Sequence, residues 1–106
     1  MAAESPRYFL SSSQAMRDRL LGFNRLAEAG GFLDDWVSTM RVVFERLESR
    51  PEEAGDPLGR LPLLDLTRYR LLVNRVCVFY ALHDWERIVF VQGVKPVLGH
   101  PLEGMA

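Results

Sequence analysis

Thirteen side chains of this 106-residue chain are Lys or Arg, and twelve of the thirteen are arginine. A guanidinium grips phosphate or carboxylate through two parallel hydrogen bonds, which a lysine ammonium cannot do. The same excess also follows from GC-rich coding, so the count alone assigns no site. Position says more. In a strand running from Leu64 to Val73, alternation puts Arg68 and Arg70 on one face. With Arg87 they would make a small basic patch, although on a sheet such a patch is as often paired with acids as used. Trp85, at the entrance to the last strand, either packs on the neighbouring hairpin or adds an aromatic to a partner-binding surface. Arg68, Arg70, Arg87 and Trp85 are therefore the binding candidates.

Few other side chains invite chemistry. His83 stands beside Asp84 in a turn, where solvation accounts for it, and His100 lies between Gly99 and Pro101, a setting that reads as exposed. Cys77 alternates with apolar neighbours and reads as an inert core thiol, since a nucleophile needs a base and a polar setting. As the lone cysteine it allows no disulfide within the chain and no Cys-rich zinc site. No metal or cofactor is expected. The net charge of −1 argues against a strongly electrostatic nucleic-acid binder. The start, MAAESPRYFLSSSQ, lacks the basic stretch and long apolar run of a signal peptide. No apolar run approaches the ~20 residues needed to span a bilayer, so the expected location is the cytoplasm, with no membrane contact.

The elements that must position these residues are legible in outline. The length suits one domain over residues 1–106. A brief strand at Tyr8 to Leu10 precedes the Ser11-Ser12-Ser13 cluster, which offers caps for a helix from about Gln14. Met16, Leu20, Phe23 and Ala27 share one helical face, and Gly30-Gly31 stops it. A second helix, about Phe32 to Ser49, carries the stripe Leu33, Trp36, Met40, Val43 and Leu47, with Asp34 and Asp35 in its first turn. So short a connection predicts an antiparallel helical hairpin. The segment from Arg50 to Pro62 holds three prolines and two glycines and reads as a surface connector. Three strands follow: Leu64 to Val73, Val76 to Leu82, and Arg87 to Val94, joined at Asn74-Arg75 and His83-Asp84. VCVFYAL, residues 76–82, is apolar on both faces, as a central strand buried by helices would be, and Gly93 suggests a bulge or close approach. Residues 96–106 read as an irregular tail. The expected class is α+β: a short strand, a helical hairpin, then a three-stranded antiparallel meander.

This order, and one stretch of sequence, resemble the RelE/ParE superfamily of bacterial toxins, the plasmid-stabilisation proteins. The residues that carry the resemblance are LESRPEEAGDPLGRL from Leu47 to Leu61, YRLLVNRVCVFY from Tyr69 to Tyr80, and RIVFVQGV in the last strand. It covers about residues 6–95, most heavily 47–94. In it, Gly55 would supply a turn, Pro57-Leu58 would insert an apolar side chain under the hairpin, and Tyr69 and Arg70 would face opposite ways.

The resemblance implies two activities and one partner. RelE-like members cut mRNA, usually on the ribosome; ParE-like members poison DNA gyrase by protein contact; both are neutralised by a cognate antitoxin polypeptide. A homodimer is also compatible with it. A metal-independent nuclease needs a base, a cation and an acid, and Arg70, Lys95 and His100 are the residues that could supply them. Two departures weaken that set. Cys77 stands where the family often has arginine, and the tail has no tyrosine after Tyr80. The expected role is thus a toxin or diverged toxin-like component working mainly through contact with an antitoxin. The alternatives are an active mRNA endoribonuclease and a non-catalytic interaction module that keeps the fold.

Overall fold

Ser13 opens the first helix as the sequence predicts: its hydroxyl accepts from Met16 N–H at 3.1 Å, satisfying one of the donors a helix start leaves bare. The computed structural model describes residues 7–104, so the leader reading and the first and last residues of the expected domain lie outside the described residues. Within them the order is β1 (Phe9–Ser12), α1 (Gln14–Gly30), α2 (Leu33–Ser49), α3 (Pro51–Ala54), β2 (Asp56–Leu61), a 3-10 turn (Pro62–Leu64), β3 (Leu66–Val73), β4 (Val76–His83) and β5 (Ile88–Pro96). The class is α+β.

Gly31 ends α1 with φ of 81°, a left-handed conformation that costs glycine little, and its N–H bonds Ala27 and Glu28 carbonyls. The chain therefore reverses within two residues, and α1 and α2 pack as the predicted hairpin. Their shared face buries Met16, Phe23, Trp36, Met40, Val43 and Leu47, at roughly 1.5–3 kcal/mol of transfer free energy per large side chain. Trp36 closes this layer by donating from Nε1 to Asn24 at 2.7 Å.

The sheet is larger than expected. It has five strands in the order β1-β5-β4-β3-β2, with the β2–β3, β3–β4 and β4–β5 pairs antiparallel and β1 parallel to β5. The added strand, β2, lies in the segment read as a connector. Every one of its residues is exposed, and it becomes a strand only by pairing with β3, with Leu58 bulged out of register. Leu58 is thus exposed rather than inserted under the hairpin. Gly55 is extended rather than turned. It is small for another reason: a Cβ there would lie 2.5 Å from the Arg70 carbonyl and 2.8 Å from the Tyr80 hydroxyl.

The turn between β3 and β4 has positive φ at both Asn74 and Arg75, the conformation that matches strand twist in a two-residue hairpin. Asn74 is tied to α2 through Thr39 at 2.9 Å. β4 is the central strand, with Val76, Val78, Tyr80 and Leu82 buried in the core that includes the helices. In β5 the pairing slips. Tyr80 sits opposite Val91 but Phe79 opposite Gly93, so Gln92 is an extra residue. Val89 and Val91 face the core before the bulge, Val94 and Pro96 after it. This change of parity carries Lys95 to the other side of the sheet.

Candidate functional site

Among the described residues, helices cover only one face of the sheet. The opposite face, which the continuous apolar run of β4 hid from the sequence reading, is built from cross-strand rows. Lys95, Cys77 and Leu72 form one row; Gly93, Phe79, Arg70 and Asp56 the next; Ser11, Phe90, Ala81, Arg68 and Gly59 a third. Neighbours within a row have Cβ atoms about 5 Å apart. Three cations, Arg68, Arg70 and Lys95, therefore share this face with Phe79 and Phe90, while Leu72 and Phe9 lie 62% and 69% exposed at its margins. None of the three cations makes an ion pair within the described residues. Asp56, in register with Arg70, is the acid this pairing brings nearest.

Cys77 lies between Lys95 and Leu72, with Arg70 in the adjoining row, and is buried. Burial pushes its thiol up, and the pull of Arg70 and Lys95 in the other direction is the smaller influence. It stays a thiol at neutral pH. The expectation of an inert sulfur fits this setting, although its surroundings are the helix-free face and not the helical core.

The remaining candidates separate. Arg87 does not join Arg68 and Arg70. It precedes β5, holds its guanidinium 4.8 Å from the centre of the Tyr8 ring, and lines a polar hollow with Ser49, Arg50 and Glu52 on the helical side. The expected three-arginine patch thus breaks up, because the parity of Arg87 is that of Val89 and Val91. Trp85 does not pack on the hairpin either: the residue is 76% exposed. Its backbone N–H, with that of Glu86, donates to Nδ1 of His83 at 3.1 and 3.0 Å, so His83 is a turn-binding group and not simply a solvated one.

His100 departs furthest from expectation. It is 6% exposed, set edge-on to Phe32 and Trp36 at 6.4 and 5.9 Å between ring centres. Burial lowers its pKa, which Asp35 raises and Arg75 lowers further by smaller amounts. It belongs to the helical side, so Arg70 and Lys95 share a face and His100 does not. The Gly99 and Pro101 neighbours suggested a loose exposed histidine; the aromatic rings that bury it come from more than 60 residues earlier in the chain.

The tyrosine at the end of the aromatic pair is equally removed from reaction. Tyr80 is wholly buried, donates to the Pro51 carbonyl at 2.6 Å, and stacks on Tyr69 at 5.2 Å. Burial holds its hydroxyl proton far above the usual tyrosine range. An apolar hollow of about 380 Å³ between α1 and α2, lined by Leu20, Trp36, Met40 and Phe44, offers no acid–base pair. Its two glutamates, Glu45 and Glu48, are engaged by Arg7 at 2.6 and 3.3 Å.

The helix-free face can hold an anionic group against guanidinium and ammonium, and can cover apolar side chains. The one histidine that alternation brings to it, His83, is six residues along β4 from Cys77, hence about 20 Å from the Lys95 row. No helix of the described residues is long and apolar enough to cross a membrane. No family model, curated protein or solved structure matches the chain.

Proposed function

We propose that this chain is the toxin, or a diverged toxin-like component, of a bacterial type II toxin–antitoxin pair, acting in the cytoplasm mainly by contact with an antitoxin polypeptide. One observation carries the reading: among the described residues Arg68, Arg70 and Lys95 make no ion pair, and they stand on a sheet face that also presents Phe79, Phe90 and Leu72. Such a face suits a polypeptide that brings carboxylates and apolar side chains together. A phosphate backbone would use the charges and leave the apolar part idle. The order of a short strand, a helical hairpin and then the Tyr69-Arg70 strand supports the resemblance to the RelE/ParE toxins, with β2 as an added strand. RNA cleavage is the weaker reading, because His100, expected to act with Arg70 and Lys95, is buried on the helical side, which leaves Asp56 as the acid the pairing brings nearest to them.

The test uses the product of a small open reading frame adjacent to this one. Expression of the chain alone should slow bacterial growth, co-expression with that product should restore it, and the two purified chains should elute together. Replacing Arg68, Arg70 and Lys95 together by Gln should weaken the complex by about tenfold or more, or at least ~1.4 kcal/mol. A complex unaffected by the triple replacement overturns the assignment of this face. Cleavage of ribosome-bound mRNA that is lost on Arg70→Ala, in a protein that still unfolds cooperatively, overturns the protein-binding reading in favour of a nuclease.

A further inference from the structure

The segment after β5, expected as irregular tail, is fastened at several points. Val97 N–H donates to the Arg75 carbonyl at 2.9 Å, and His100 N–H to the Val97 carbonyl at 2.9 Å. The Arg75 guanidinium donates to the Gly99 carbonyl at 3.0 Å. Leu102 is fully buried at the end of the helical core. The fastening that chemistry can undo is the imidazole of His100, whose Nδ1 accepts the Leu102 N–H at 3.0 Å. A nitrogen that accepts must carry no proton, so the neutral ring has its hydrogen on Nε2.

Protonation cannot leave this arrangement intact. A proton on Nδ1 turns the acceptor into a donor and points it at another N–H, in a site with almost no water to relieve the conflict. We propose that residues 97–104 form a proton-released strap, in which protonation of His100 breaks the Leu102 hydrogen bond and uncovers the end of the core formed by Leu102, Trp36 and Phe32.

The charged groups facing the ring are Asp35 from α2 and Arg75 from the turn between β3 and β4. Asp35 favours the imidazolium; burial, the largest influence, and Arg75 both oppose it. The ring is therefore neutral at pH 7 and the strap closed. Because the folded-state value lies below the unfolded value of 6.5, the strap's contribution to stability is complete above about pH 6.5. It is lost as pH falls from there through the folded-state value. Release would expose buried apolar surface beside α2, so the same chain would present two different surfaces on either side of mild acidity. This inference stands independently of the antitoxin reading.

Hydrogen exchange of the intact chain, followed by NMR between about pH 7.5 and about pH 5, tests it. Protection of the Leu102 and Glu103 amides, corrected for intrinsic exchange, should fall by up to about tenfold per pH unit below about 6.5, while protection in β4 stays level. In His100→Asn the side-chain oxygen takes the place of Nδ1 without titrating, and the fall should vanish. His83→Asn should leave it unchanged. Constant protection in the wild-type chain across the range overturns the proposal, and so does a fall that persists in His100→Asn. If that variant does not fold, the ring signals of His100 in the wild-type chain decide. A titration midpoint that coincides with the loss of Leu102 protection supports the strap, and one that does not sinks it.

Discussion

Removing a single oxygen from Tyr80 should reveal how tightly the sheet is tied to the chain between the helical hairpin and β2. The Tyr80→Phe ring would keep its stack on Tyr69 and fill the same volume, so no cavity opens. What disappears is the bond of 2.6 Å to the Pro51 carbonyl, together with the contact to the Gly55 backbone. Pro51 and Tyr80 are both buried, so water cannot replace the lost partner. A buried group left unsatisfied costs about 1–3 kcal/mol. A loss near 2 kcal/mol corresponds to roughly 8–16 °C in melting temperature for a domain of this size. Urea denaturation measures it directly, and the m-value should not change. The alkaline side gives a second readout. Burial raises the Tyr80 pKa, so the folded state holds its proton after the unfolded state has released it. That contribution is complete below about pH 10 and declines as pH rises past it. Tyr80→Phe should remove this part of the decline. A variant that loses less than about 0.5 kcal/mol, within the ordinary scatter of harmless substitutions, would refute the reasoning, because the hydroxyl would then be hydrated or its bond irrelevant.

Two further outcomes are expected. Trp36→Ala should destabilise the chain by about 3–5 kcal/mol in chemical denaturation, because a fully buried indole leaves a cavity and an unpaired Asn24; a loss below about 1 kcal/mol would mean the ring is not part of the core. Cys77 should resist alkylation in the native state and react at once in denaturant, since it is buried and its thiol is pushed up; labelling at equal rates in both states would contradict that placement.

The parts of the fold written in local chemistry were legible. Ser13, the face of Met16, Phe23 and Ala27, and Gly31 define α1 without reference to any distant residue, and the structure follows them closely. β2 was hidden because DPLGRL has no alternation of its own and is a strand only through β3. The helix-free face was hidden because Cys77 and Ala81 are covered by cross-strand neighbours such as Leu72 and Phe90, so VCVFYAL looks the same whether one face or two meets helices. Arg68 and Arg70 were placed correctly by alternation within a single regular strand. Arg87 was not, because its face depends on the parity of β5, and Lys95 reaches the opposite face only through the extra residue at Gln92. His100 shows the deepest limit. Its burial is decided by Phe32 and Trp36, and nothing beside it in the chain reports their presence.

The parallel pairing of β1 with β5 sets an order on biosynthesis. Phe9 finds its partner at Ile88, and every other bond along β1 to the sheet waits for the same strand. While the chain is being made, the hairpin of α1 and α2 can fold on its own local signals. Its apolar stripe then remains open to solvent until β4 and β5 have been synthesised. Closing a loop of that size adds only a few kcal/mol of entropy, growing slowly with length, but the delay is long compared with helix formation. The nascent chain thus passes through a stage with a finished helical face and no sheet to cover it, and that stage is where a chaperone or a premature self-association would act. Moving the Phe9–Ser12 segment to follow residue 104 by circular permutation would bring β1 out after its partner and leave that interval unchanged. Moving α1 and α2 there instead would abolish it.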